Sequence, residues 1–451
     1  MWDRHLTKSF ITMTFKSILT SIVVCTILSC FKEQSSDDGE KLKQIGREYV
    51  TLGLTIGQYD ADFVDAYYGP DSLRPAAAKD TANFPKDSLT LRITELKRRV
   101  TDLLTNTKND TIGQRAEWLG SQLTAFERRI KIVAGDRDAF DTESRDLFDA
   151  VAPIYNEKHF QDLIAQMDAI LPGKGALPDR FQKLAARFLI QKDKIDTVFQ
   201  VAIAEARRRT LQHYTLPAGE NFKLEYVTDK PWSGYNWYKG NYQSLIQINV
   251  SQPIFIQRAI DLACHEGYPG HHVFNVLLEK NVYHDQGSQE ISLYPLFSPQ
   301  SLIAEGSANY GISIAFPGDS QEQYCKQILM PLAGIDTTGA HLYFEALKIG
   351  SALNYARNEV ARGLINKSMN DKDALRWLTD YCLLTEKGAT DYLRFIKKYG
   401  SYVINYNYGQ DLVKNYIEKT SGQDQEKRWK AFEKLLSNPM RASDLVATDK
   451  Q

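Results

Sequence analysis

Residues 265 to 272 read His-Glu-Gly-Tyr-Pro-Gly-His-His, so three of the chain's eight histidines stand within a single short stretch. Imidazoles crowded in this way, with an acid directly after the first, are the residue types of a metal site. Neutral ring nitrogens offer lone pairs to the ion, and a carboxylate beside it can move a proton. In the common zinc-hydrolase arrangement two His stand four apart, one helical turn, with a Glu next to the first as general base. That spacing is absent here. On a straight helix His265 and His271 would be separated by about 9 Å of rise on different faces, and His265 and His272 by about 10.5 Å on one face. With zinc–nitrogen bonds of about 2.0–2.1 Å, neither pair could share an ion.

The stretch therefore predicts a distorted helix. Pro269 lies four residues after His265, where its ring strikes the His265 carbonyl and one ladder hydrogen bond is lost, and Gly267 and Gly270 leave the backbone free to bulge. Glu305, in Leu302-Ile303-Ala304-Glu305-Gly306-Ser307-Ala308-Asn309, is a third ligand candidate on a second helix packed beside the first, which would leave a fourth position open for water. Asn309, one turn on, is placed to hold the outer nitrogen of a ligand His. Between His271 and His272 the second ligand stays open, with His271 preferred; His272 is otherwise a group facing the substrate. Cys264 reads as a small buried side chain.

Helical periodicity surrounds these residues. Apolar positions recur at three and four over 41–57, 88–107, 113–133, 139–154, 158–171 and 178–213, and again from the metal stretch to about residue 438. Alternation over Phe222–Val227 and Tyr242–Val250, with Gly240-Asn241 as a turn, predicts a small antiparallel sheet just before a helix starting at Ser251 or Pro253. The edge of the Tyr242–Val250 strand could lie along the cleft and pair with an extended peptide, or the hairpin could be purely structural. The fold class expected is mostly α (α+β): a large helical body with this sheet beside a metal-binding helix pair.

The 451 residues are 43% hydrophobic and 25% charged, within the range of globular proteins. Lys plus Arg number 55 against 56 Asp plus Glu, so no cationic excess exists to neutralise phosphates, and nucleic acid is not expected as a partner. Arg4, Lys8 and Lys16 precede an uncharged run from Ile18 to Ser29, followed by Cys30. This is the form of a secretory signal, too short to span a bilayer. Leu28-Ser29-Cys30 also matches the box at which bacterial lipoproteins are cut and acylated on Cys, so the membrane is expected as a partner through Cys30 alone; the other reading is plain secretion with Cys30 a bystander. The division expected is a signal over 1–29, a polar tether over 30–39, and one zinc-hydrolase domain over 40–451, with a helical half to 215 and the sheet and catalytic helices after it. The remaining Cys264, Cys325 and Cys382 are no disulfide framework.

HEGYPGHH from His265 and EGSA from Glu305 resemble the hallmark His-Glu-x-x-Pro-Gly-His-His and Glu-Gly-x-Ala of the bacterial family labelled domain of unknown function 885. The stretches from Tyr49 to Pro70, from Pro295 to Gly306 and from Ser401 to Gly409 are similar to it as well. The resemblance implies kinship with gluzincin-type zinc peptidases, a helical body with a deep cleft, His265, His271 and Glu305 as zinc ligands, and Glu266 as general base. A neutral donor is also needed for the charge that develops on the carbonyl oxygen. Of the seven Tyr between 381 and 416, Tyr406 in the family-like INYNYG stretch is the choice. The function expected is an exported zinc metallopeptidase acting on short peptides. The alternatives are a zinc amidase acting on cell-wall peptides or small amides, and a lipoprotein that binds a ligand without catalysis.

Overall fold

Amphipathic stretches dominate the chain, and the computed structural model, which describes residues 37–77, 83–230 and 232–446, is accordingly mostly α with small sheets. The signal segment and Cys30 lie outside the described residues, and the chain is already helical from 37, inside the expected tether. A helix over 37–57 (α1) leads to a short strand, β1 (Val64–Tyr67), and then to α2 (Lys86–Asn106), α3 (Asp110–Val133), α4 (Phe140–Phe148), α5 (Glu157–Ile170), α6 (Leu177–Ala185) and α7 (Ile195–Leu211). α2 buries Leu89, Ile93, Leu96, Val100 and Leu103, a stripe at helical spacing. α3 starts where the Asn109 side chain accepts from the backbone N–H of Thr111 at 3.0 Å and of Ile112 at 3.2 Å, satisfying donors that have no partner inside the helix.

Two expected helices are shorter than their periodicity. The run 139–154 stops at Phe148, where Asp149 turns left-handed at φ 56°. The run 178–213 is divided between α6 and α7, because the backbone between them is used elsewhere: Ile190 N–H donates to the Ile254 carbonyl at 2.9 Å and Leu189 bridges Phe255. That contact also accounts for the next helix starting at Ile256 and not at Ser251 or Pro253.

The main sheet corrects the expectation of an antiparallel one. Strands β2 (Asn221–Val227), β3 (Gly234–Gly240) and β4 (Gln243–Asn249) lie in the order β2-β4-β3, with β2 parallel to β4 and β3 antiparallel to it. Gly240 and Asn241 do form the turn, both at positive φ. The short link after β2 carries the chain across to the far side of β4 before β3 begins, so β2 and β4 run the same way. The Tyr242–Val250 segment is therefore the central strand, with both edges paired, and it offers none to a peptide; the edge strands are β2 and β3.

Beyond the sheet come α8 (Ile256–Leu262), α9 (His271–Leu278), strand β5 (Leu293–Pro295), which pairs antiparallel with β1, and α10 (Pro299–Ala315). Helices α11 (Ser320–Tyr324), α12 (Met330–Ala333), α13 (Ala340–Leu353), α14 (Ala356–Ile365), α15 (Asp371–Asp380), α16 (Glu386–Tyr399), α17 (Ile404–Ser421), α18 (Gln425–Leu436) and α19 (Ala442–Val446) complete the chain. α10 is buried on nearly every face and forms the centre of this half. It meets α17 backbone to backbone: a Cβ on Gly306 would lie 2.4 Å from the carbonyl carbon and oxygen of Gly409. Only paired glycines allow that approach. Buried apolar side chains form one continuous cluster from Leu42 to Leu445. Among the described residues no helix is long and apolar enough to cross a membrane.

Candidate metal centre

α8 does not run straight into α9. Its last turn widens to a π-type turn over Ala263–Gly267, the chain breaks at Tyr268-Pro269-Gly270, and α9 restarts at His271. The break is tight. Gly270 N–H donates to the Cys264 carbonyl at 2.8 Å, and a Cβ on Gly270 would lie 2.0 Å from the carbonyl oxygen of His265. Gly270→Ala must therefore open this fold-back, and the expected result is a loss of about 2–4 kcal/mol in stability together with loss of metal binding, read by thermal melting and metal titration.

The fold-back brings His265 and His271 together from opposite sides of the break. Their Nε2 atoms are 3.2 Å apart, and Oε2 of Glu305, on α10, is 3.4 Å from one and 3.7 Å from the other. These three groups form a possible metal site whose ligand atoms all lie within 4.8 Å of one another. Tetrahedral ligands about 2.0–2.1 Å from one ion stand about 3.3–3.5 Å apart, so the spacing fits. Glu305 Oε2 is buried and has no hydrogen-bond partner, the state of an atom aimed at a cation.

The surroundings fix how each group points. Asn309 donates from Nδ2 to the Tyr406 carbonyl at 2.8 Å, so its Oδ1, 3.0 Å from His265 Nδ1, accepts the ring proton there. The Nε2 lone pair of His265 is then left facing the centre. Tyr402 donates its hydroxyl to Glu305 Oε1 at 2.8 Å, holding the carboxylate so that only Oε2 faces the imidazoles. Burial works against the charge of Glu305, yet the His265 and His271 contacts outweigh it and hold the carboxyl well below the usual range. Burial likewise opposes a charge on His271, but Glu305, with Glu266 and Asp65, pushes it up to about 9. The three groups thus face one another with a carboxylate charge that a cation could balance. Replacing Asn309 by Ala is expected to weaken metal binding about 10- to 100-fold, read by competition against a chromophoric chelator.

Glu266 lies beside the group, outside it: Oε1 is 4.0 Å from His265 Nε2 and the residue is 4% exposed. Burial pushes its carboxyl up, opposed by His265 and His271. Its carbonyl accepts from Asn236 Nδ2 of β3 at 2.7 Å, and a Cβ on Gly234 would lie 2.9 Å from its Oε1, so the edge strand runs directly against this side chain. Tyr406 is close enough for its ionisation to feel Glu305 and Glu266, and burial raises it well above the usual range, so its hydroxyl keeps its proton.

His272 is held elsewhere. Its Nδ1 is 2.8 Å from Ser244 Oγ and its Nε2 2.9 Å from Glu220 Oε2, and Glu220 also accepts from Tyr268 and Arg207. Both ring nitrogens are occupied, away from the metal group. Cys264 is fully buried, and it, Cys325 and Cys382 are free.

Three residues near the centre escape a reading by motif: Tyr402, the clamp on Glu305, and the pair Asp65 and Tyr235, hydrogen-bonded to each other on β1 and β3. Tyr402 and Asp65 stand in the stretches 401–409 and 49–70 on which the expected resemblance was based, which was the available signal.

No family model matches the sequence, and no curated protein matches it. Among solved structures, a candidate lipoprotein from Colwellia psychrerythraea is similar at 15% identity and a TM-score of 0.50, over 79% of this chain and 65% of that one. A candidate lipoprotein of unknown function from Shewanella oneidensis is similar at 13% identity over 80% of this chain and 75% of that one, TM-score 0.42. Metallocarboxypeptidase 1 of Trypanosoma cruzi is similar at 10% identity over 91% and 95% of the two chains, TM-score 0.43. This chain thus spans about 65% of the length of the Colwellia protein, and at such identity what the two share is the fold.

Proposed function

We propose that the protein is a zinc-dependent hydrolase of peptide bonds, exported and held at the membrane through acylated Cys30. The observation that carries the reading is the convergence of two Nε2 atoms and an unpartnered Glu305 Oε2 at tetrahedral spacing, with the Glu266 carboxylate just outside. His265, His271 and Glu305 supply the donor set, two imidazoles and one carboxylate, of a catalytic zinc. When bound, zinc would supply Lewis acidity, bringing the pKa of a water near neutrality and polarising a carbonyl.

The chain's own residues do the rest. Glu266, desolvated against β3, takes the proton of the attacking water and delivers it to the leaving amine; burial pushes its carboxyl up, which strengthens it as a proton acceptor. Tyr406 keeps its hydroxyl proton and donates to the oxygen on which charge develops. Asn309 and Tyr402 keep His265 and Glu305 oriented through the cycle.

The test is a cleavage screen of the purified protein against a mixed peptide library, read by mass spectrometry with and without chelator, beside elemental analysis. About one zinc per chain and chelator-sensitive cleavage are expected. A zinc-loaded protein that leaves every peptide intact would overturn the reading.

A further inference from the structure

Asp65 sits where β1 loses register with β5: Val64 pairs with Pro295 and Ala66 with Tyr294, so Asp65 is the unmatched residue between them. A bulge of this kind re-aims one side chain out of the alternating pattern. Here the carboxylate meets the Tyr235 hydroxyl, which donates to its Oδ1 from the edge strand β3. It also lies close enough to His271, Glu305 and Glu266 to interact with their charges. Yet it is not one of the groups whose atoms converge on the metal position. No basic side chain pairs with it among the described residues; its hydrogen-bond partner is a neutral phenol. It is partly exposed, so a ligand can reach it.

A half-buried carboxylate with one oxygen fixed by a neutral phenol and no Lys or Arg beside it among the described residues has room for one more charged partner. Its place beside the centre, outside the three converging groups, restricts the cation that can complete it. In a peptide whose first bond is being cut, the α-nitrogen is about 2.5 Å from the scissile carbonyl carbon. A charge-assisted N–H···O contact adds about 2.7–2.9 Å. The acceptor for such an ammonium must therefore stand outside the metal's ligands but in the same cleft, facing the base and the His271 side. Asp65 stands outside the ligand group, interacts with the charges of His271, Glu305 and Glu266, and has its Oδ1 fixed by Tyr235.

We propose that Asp65, oriented by Tyr235, binds the free α-ammonium group of the substrate, so that the protein removes residues from the amino terminus of short peptides. This rests on the metallopeptidase reading and adds the substrate class to it. Tyr235 is a positioning residue and Asp65 the specificity determinant.

The experiment compares zinc-loaded wild type, Asp65→Asn and Tyr235→Phe on tri-alanine, its N-acetyl form, and an N-acetyl peptide carrying an internal Lys. Wild type should favour the free amine by about tenfold or more in kcat/KM. Asp65→Asn should collapse that ratio towards one, and Tyr235→Phe should reduce it by several-fold. A purely structural role would lower both rates together and leave the ratio standing, which would overturn the proposal. So would equal wild-type rates on free and acetylated peptide, or full activity on the acetylated Lys peptide, which would assign the carboxylate to a substrate side chain. A separate arm titrates tri-alanine and its N-acetyl form into zinc-loaded Glu266→Gln. If wild type cleaves nothing, the hydrolase reading fails, while tighter binding of tri-alanine that Asp65→Asn abolishes still upholds the ammonium site and its absence refutes it.

Discussion

Glu266→Gln is expected to keep about one zinc per chain and to lose peptide hydrolysis by about 10²- to 10⁴-fold. The substitution preserves shape, and Glu266 is not among the three groups that converge on the metal position, so the donor set is untouched. What it removes is the proton carrier of the proposed mechanism: Glu266 is 4% exposed, its Oε1 is 4.0 Å from His265 Nε2, and β3 presses on it at Gly234, leaving little room for a solvent base to replace it. Its hydrogen bond to Asn236 uses the backbone carbonyl, which Gln retains. Elemental analysis and a progress curve on one preparation check both halves. Ordinary turnover with normal zinc would remove Glu266 from the role assigned to it.

Two adjacent histidines should give opposite results. His271→Ala, like His265→Ala, deletes one of three donors and should abolish measurable zinc and all hydrolysis. His272→Ala should keep the metal and lose stability instead. Its ring is fully buried, with Nδ1 against Ser244 and Nε2 against Glu220, and Glu220 is shared with Tyr268 and Arg207. Removing the imidazole strips one partner from a buried carboxylate and leaves a void, a loss of about 3 kcal/mol or more. Denaturant melts and zinc titrations of the three variants separate the cases. A His272→Ala protein that melts normally but no longer binds zinc would reverse the assignment.

What could be read from the residues was local. Pro269 and Gly270 announce a broken helix, and the break is where the structure has it, because proline and glycine act on the backbone within a turn of themselves. Asn309 stands one turn from Glu305, so its reach towards a ligand His followed from helix geometry alone. The parallel pairing of β2 with β4 was not readable, since alternation specifies which faces are buried but not the direction of a neighbour. β3 was hidden by its own composition: Gly234, Asn236, Lys239 and Gly240 are poor strand formers, and the strand exists because it packs on Glu266 and β4. The break between α6 and α7 depends on a backbone contact to Ile254, far along the chain. Asp65 and Tyr402 reach the centre from segments hundreds of residues apart, and no spacing rule connects them to His265.

The touching glycines of α10 and α17 have a consequence for when the protein can take up its ion. Glu305 is held by Tyr402, and the Asn309 that aims His265 is itself held by the carbonyl of Tyr406, so two of the three donors depend on the late segment made of the turn Gly400–Val403 and α17. A polypeptide truncated before residue 400 would contain every ligand and still have no organised site. On the proposed reading the ion would bind only after that late segment has packed, and the melting temperature would rise with zinc concentration.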